Sequence, residues 1–241
     1  MWHSTRGIVF HTVRYSDSSI IAKIYTELFG LQSYLVRGVF KQGSKTRPAL
    51  FQPLTLLQME VGHRSHDSLQ RYRDIHVAVP CPSTASDIRK SSIALFINEL
   101  VFKSIREEEA NPEMFGFLWK QCLELDALEK GFALFHIRFT FNLMHLLGIF
   151  PQLDDSSDCQ IFNLRDGLFQ HTIPDHPDYL DPEQGQLFLN FALAESTSQA
   201  MMAGYRQRHQ VLEILMHYYR LHLPGFKGVE SLDVLKEVFG D

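Results

Sequence analysis

The apolar residues of this chain change their period at Pro80-Cys81-Pro82. Before that point they alternate every second residue, as on a pleated strand. After it they recur at three and four, as on a helix. A single switch from one period to the other, in 241 residues, predicts an α+β fold with the strands first. Five strand-like runs precede the switch, Arg6–Tyr15, Ser19–Leu28, Leu31–Phe40, Leu54–Val61 and Ser68–Ala78. Turn residues separate them at fairly even spacing, which predicts a small β-barrel.

After the switch, Ile93, Phe96, Ile97, Leu100 and Val101 predict a first long helix. Asn111-Pro112 supplies a capping side chain followed by proline, a helix start. Gly131–Leu147 is apolar on nearly every side and is expected at the centre of a helical bundle. Residues 153–184 are polar and turn-rich, an insertion in which Ile161–Gln170 folds as a hairpin about Arg165-Asp166-Gly167. A later helix is expected over Ala200–His222, and Ser231 is expected to cap a last short one. The expected division is therefore 1–80 and 81–241.

Charge follows the same boundary. The whole chain carries net −5, but residues 1–80 carry +5 and residues 81–241 carry −10. Such asymmetry reads as a basic module joined to an acidic one. The basic module's most informative stretch is Leu31–Val61, two strand-like runs joined by a turn-rich loop bearing Lys41, Lys45 and Arg47. Two strands and a cationic loop make a binding edge for a polyanion. Lys23, Arg37, Lys41, Lys45, Arg47, Arg71 and Arg73 are the candidate phosphate contacts, with Tyr25 and Phe40 as candidate base-stacking rings. The plainer reading makes them solvated strand-face charges and core aromatics. In the helical part, Arg138 stands in the most apolar segment, where an arginine is costly unless paired. Either it holds an internal carboxylate, or it grips an acidic peptide tail with Phe139 beside it.

Several classes of function find no support. No run reaches the roughly 18 apolar residues of a membrane span, and Met1–Phe10 lacks the apolar core of an export signal. Three scattered cysteines fit reduced thiols in a cytoplasmic protein. The twelve histidines show no structural-zinc spacing, so neither metal nor other cofactor is expected. H-E-x-x-H, G-x-S-x-G and G-x-x-x-x-G-K-[ST] are missing, and no catalytic residue is assigned.

The segments GIVFHTVRYSDSS (Gly7–Ser19), IYTELFGL (Ile24–Leu31), LVRGV (Leu35–Val39) and LFQPLTLLQMEV (Leu50–Val61) resemble the N-terminal domain of the RecO family of bacterial DNA-repair proteins and recombination mediators. SSIALFINEL (Ser91–Leu100), Glu107–Asn111 and Arg138-Phe139 ahead of Leu146-Leu147-Gly148 are similar to its helical domain. The resemblance implies an OB-fold barrel that binds single- and double-stranded DNA and anneals complementary strands. It further implies work with RecR to load RecA onto DNA coated by single-strand-binding protein, whose acidic tail docks on the helical domain at Arg138 and Phe139. Some members carry a four-cysteine zinc site in the insertion. Here only Cys159 falls there, so the hairpin is expected to be a metal-free remnant of that zinc finger. Two other readings stay open, a protein-interaction adaptor binding peptide on a sheet edge and an RNA-binding barrel.

Overall fold

The structure, a computed structural model, describes residues 1–41, 47–64, 69–105, 109–153, 161–193 and 204–240. The chain forms two compact units, Met1–Ala127 and Leu128–Asp241.

The first unit is built on five antiparallel strands, β1 (His3–Ser16), β2 (Ser19–Thr26), β3 (Gly30–Val36), β4 (Leu56–Gly62) and β5 (Arg71–Val79). Their order in the sheet is β3-β2-β1-β4-β5. Register follows the apolar alternation: Val9 faces Ile24, Gly7 faces Leu57, and Met59 faces Ile75. One face gathers Val9, Ala22, Ile24, Tyr34, Val36, Leu57, Met59 and Val61 into a core. The alternate parity is solvated only in part. On that side Ile8, Phe10 and Tyr25 are buried as well.

Three helices belong to the same unit, α1 (Pro82–Ser86), α2 (Ile88–Ser104) and α3 (Pro112–Ala127). The Asn111 side chain accepts from the Met114 amide at 2.9 Å, so the capping expected there is made. Phe115 of α3 stacks near Tyr25, with centroids 6.2 Å apart, and Asn98 of α2 donates to the Phe10 carbonyl at 2.8 Å. Arg6 forks onto Glu27 at 2.9 and 2.6 Å and lies 4.9 Å from the Trp119 ring centroid. Around Ile8, Phe10 and Tyr25 the outer face of β1 and β2 is thus closed by helices.

Two strand ends differ from the periodicity. β3 stops at Val36, short of the expected Phe40, because Gly38 takes a φ of +74° and turns the chain. β4 begins at Leu56, since Leu54 itself adopts a positive φ of 59°. An L side chain is uncommon there. The Leu54 amide donates to the Val9 carbonyl at 2.8 Å, which holds the turn against β1.

The second unit contains α4 (Phe135–Leu146), a sheet of β6 (Ile161–Asn163), β7 (Leu168–Gln170) and β8 (Tyr179–Leu180), and helices α5 (Pro182–Ala192), α6 (Tyr205–His222) and α7 (Ser231–Phe239). α4 is buried along most of its length, as expected of Gly131–Leu147. The Tyr219 hydroxyl of α6 donates to the Thr140 carbonyl of α4 at 2.9 Å. The hairpin forms as expected, with the Asn163 side chain accepting from the Arg165 amide at 3.0 Å to set the turn. No periodicity marks β8, which pairs with β6 in the order β7-β6-β8. Ser231 does not cap α7 but is its first residue, buried, after Glu230. Among the described residues, no helix is long and apolar enough to cross a membrane.

His136 of α4 makes stability depend on pH. Burial first, and then the Arg208 charge, push its imidazole down to about 3 from the ordinary 6.5. The folded state therefore keeps it neutral while the unfolded chain takes up a proton below about pH 6.5. Stability is full above that pH and is lost as pH falls from 6.5 toward 3. The expected loss is about 2 kcal/mol at about pH 5. Urea unfolding at the two pH values checks it. His136→Phe should flatten that slope, and an unchanged slope would remove His136 as its source.

Candidate nucleic-acid interface

The chain leaving β3 runs out past the edge of the core. Arg37, Phe40 and Lys41 are exposed there, while Val39 between them is buried. The Val39 amide donates to the Ser18 carbonyl at 2.9 Å, tying this exit to the β1–β2 turn. The Lys41 amide donates to the Gly38 carbonyl at 3.1 Å, which holds the turn that projects both cations. Arg47 is exposed at the start of a short 3-10 turn, Pro48–Phe51. Three candidate cations thus belong to one connection, and no described carboxylate forms an ion pair with Arg37, Lys41 or Arg47. Lys45 lies outside the described residues.

The remaining candidates are placed elsewhere. Lys23 is half-buried on the helix-covered face, its amine 5.3 Å from the Phe102 ring of α2. Arg71 and Arg73 both point outward, because a register shift at Glu60/Val61 lets Tyr72 and Ile75 pack inward around them. Arg73 forks onto Glu60 at 2.9 and 2.7 Å and sits 5.6 Å from the Trp2 ring, so its charge is locally balanced. Arg71 is exposed and directly follows Gln70. Gln70 bridges Tyr34 of β3 in parallel sense, and its amide donates to the Ser33 carbonyl at 2.7 Å. Arg71 is thereby brought beside β3.

Tyr25 must be corrected. It is 1% exposed, stacked on Phe10 with centroids 5.5 Å apart and covered by Phe115. Its ring faces are occupied inside the protein, so no base reaches them. Phe40 is exposed, with the Arg14 guanidinium 5.6 Å from its ring centroid. Arg14 was not among the candidates. In the sequence it reads as one more residue of a core strand, and only the hairpin's reach past the core exposes it.

In the second unit, Arg138 is half-buried, its guanidinium 5.6 Å from the ring of Phe135 on its own helix. Phe139 also requires correction. It is wholly buried in the core of the unit and presents no surface to a partner. Among the described residues, no group of three or more His, Cys, Asp or Glu is placed to hold a metal ion. Cys159 lies outside them. Cys81 is pushed up to about 11, chiefly by burial, and the buried Cys122 is raised further. Burial thus favours the protonated thiol at both positions.

Residues 1–80 match the family model described as recombination protein O N terminal, and residues 85–229 match the one described as recombination protein O C terminal. The chain belongs to the RecO family. The N-terminal match covers the five-stranded sheet with all the candidate DNA contacts, and the C-terminal match covers Arg138 and Phe139. The similarity to individual RecO proteins runs end to end. The DNA repair protein RecO of Bacteroides fragilis is 37% identical over 241 residues, 99% of this chain and 100% of that protein. That of Phocaeicola vulgatus is 34% identical over 240 residues, 99% and 100% of the two chains. That of Flavobacterium psychrophilum is 35% identical over 239 residues, 98% of each.

Proposed function

We propose that the chain is a DNA repair protein that binds single- and double-stranded DNA and promotes strand annealing. In this reading it works with RecR to load RecA onto DNA coated by single-strand-binding protein. The observation that carries the reading is the exposed cationic connection of Arg37, Lys41 and Arg47 on the one basic module of an otherwise acidic chain. A protein that neutralises phosphates on two strands lowers their mutual repulsion, which is a physical route to annealing. Members of this family are non-catalytic recombination mediators, and no bond is made or broken in the reading.

The sheet is read as an OB-fold barrel closed between β3 and β5, with the parallel Tyr34–Gln70 bridge in support. Residues 1–80 would hold DNA through Arg37, Lys41, Lys45, Arg47 and Arg71. Lys23 and Arg73 contribute less, one set against Phe102 and the other balanced by Glu60. Residues 81–241 would dock partners, with Arg138 gripping the acidic tail of single-strand-binding protein.

The test is fluorescence anisotropy of a labelled single-stranded oligonucleotide titrated with the protein at several salt concentrations. The logarithm of the binding constant is expected to fall linearly with the logarithm of salt, by about 0.7 per phosphate contact. Failure to bind at the lowest salt would overturn the reading and leave a protein-interaction adaptor.

A further inference from the structure

The β1–β2 hairpin carries a surface that the cationic connection does not account for. Up to Phe10, β1 is closely packed, with Gly7, Ile8, Val9 and Phe10 all buried. From His11 to Ser16 every residue is exposed. Val13 is 48% exposed and Tyr15 is 61% exposed, and Phe40 from the exit of β3 is 51% exposed. Single exposed apolar side chains need no explanation, but several on two joined segments do. Here two segments are fastened together, by the Val39 amide on the Ser18 carbonyl at 2.9 Å and by Arg14 at 5.6 Å from the Phe40 ring.

We propose that this hairpin tip and Phe40 form a base-stacking platform for single-stranded DNA, with Tyr15 and Phe40 taking bases and Arg14 a phosphate between them. The inference rests on the DNA-binding reading above and assigns to it a site of its own. Three features point to this occupant. Each exposed ring is the chain neighbour of an exposed cation, Tyr15 of Arg14 and Phe40 of Lys41. A single strand offers bases and phosphates in the same alternation, whereas a duplex keeps its base faces inside. The register shift between Arg14 and Ser16 puts Tyr15 in a bulge, a device that re-aims a side chain at a strand end. The charge also fits a polyanion, for Arg14, Arg37 and Lys41 are exposed on the two joined segments, and the tip's one carboxylate is Asp17. A guanidinium over an aromatic face holds the ring in place and leaves its other face open.

The experiment uses the full chain, a labelled oligo-dT strand and a labelled duplex of equal length. Tyr15→Ala and Phe40→Ala are each expected to weaken dT binding by about 5- to 150-fold. Their salt slope should stay at the wild-type value, because an aromatic ring releases no counterions. Arg14→Ala should instead lower the slope by about 0.7. Phe40→Trp should bind dT as well as the wild type, and the two alanine variants should bind the duplex as the wild type does. All three positions are at the surface, so the four variants should melt with the wild type. If Tyr15→Ala and Phe40→Ala bind dT normally while the wild type keeps its salt slope, the platform is refuted and the DNA-binding reading stands. Equal losses on dT and duplex, or failure of Phe40→Trp to retain binding, would make the rings shape the connection instead and would also refute it. A wild type that binds neither probe at low salt overturns both readings.

Discussion

Replacing Arg37, Lys41 and Arg47 together by alanine is expected to lower affinity for a single strand by about 500-fold at roughly 50 mM salt, but by only about 30-fold at roughly 200 mM. The difference between the two figures identifies the mechanism. Each lysine or arginine that neutralises a phosphate of a single strand releases about 0.7 of a condensed counterion, so three contacts contribute a slope of about 2. That contribution shrinks as bulk salt rises, because the released ions enter a solution already rich in them. Loss of three ordinary hydrogen bonds would weaken binding by the same factor at both salts. The three side chains are exposed and on one connection, and none is ion-paired to a described carboxylate, so their removal costs the fold little. Arg73→Ala is the internal control. Its guanidinium is already balanced by Glu60, and its loss should change the slope much less. Anisotropy titrations of the triple variant and of Arg73→Ala at four salts settle the matter. A salt-independent deficit would mean that the cations shape the connection and do not contact phosphate.

The period of the apolar residues was enough to locate the strands, because a buried face leaves its parity in the sequence. It did not say how many faces are buried. Tyr25 lies on the parity opposite Ile24, and alternation alone gives that side to solvent. In the folded unit α3 covers it, and a second layer is a tertiary event that a strand's own pattern does not record. Phe139 was misplaced for the same reason. On a helix that is apolar all round, the sequence cannot separate a face open to partners from one sealed in the core. Arg71 and Arg73 share a parity with Leu69, so alternation alone does not settle their side. A register shift, invisible to periodicity, turned both outward. β8 is only two residues long, too short to show any period, and it exists because β6 offers it a partner. The candidate cations of the β3–β4 connection were legible because charge needs no partner to be seen. Arg14 was not, since its role depends on where Phe40 lies.

Phe162→Ala is expected to be the most destabilising of the single substitutions considered, at about 3–5 kcal/mol. Phe162 of β6 is wholly buried. Its ring meets Phe169 of β7 at 4.9 Å, Phe188 of α5 at 5.0 Å and Tyr218 of α6 at 6.4 Å between centroids. The small sheet has strands of three, three and two residues, far too short to hold itself by backbone bonds alone. Those four rings join it to the helices, and truncating the central one leaves a cavity that rigid neighbours cannot fill. Against a total stability of about 5–15 kcal/mol, a loss of this size is large. Phe162→Leu should recover most of it, because the volume is largely kept. Urea unfolding followed by far-UV circular dichroism measures both. A chelator added to the wild type should leave the transition where it is. A fall on chelation would mean that a metal, and not aromatic packing, secures the sheet. Below its transition, folded Phe162→Ala should bind a single strand with the wild-type constant and slope. Every cation of the proposed interface lies within Met1–Ala127, and Phe162 lies in the other unit. Lost binding by the folded variant would place part of the DNA contact in the helical region.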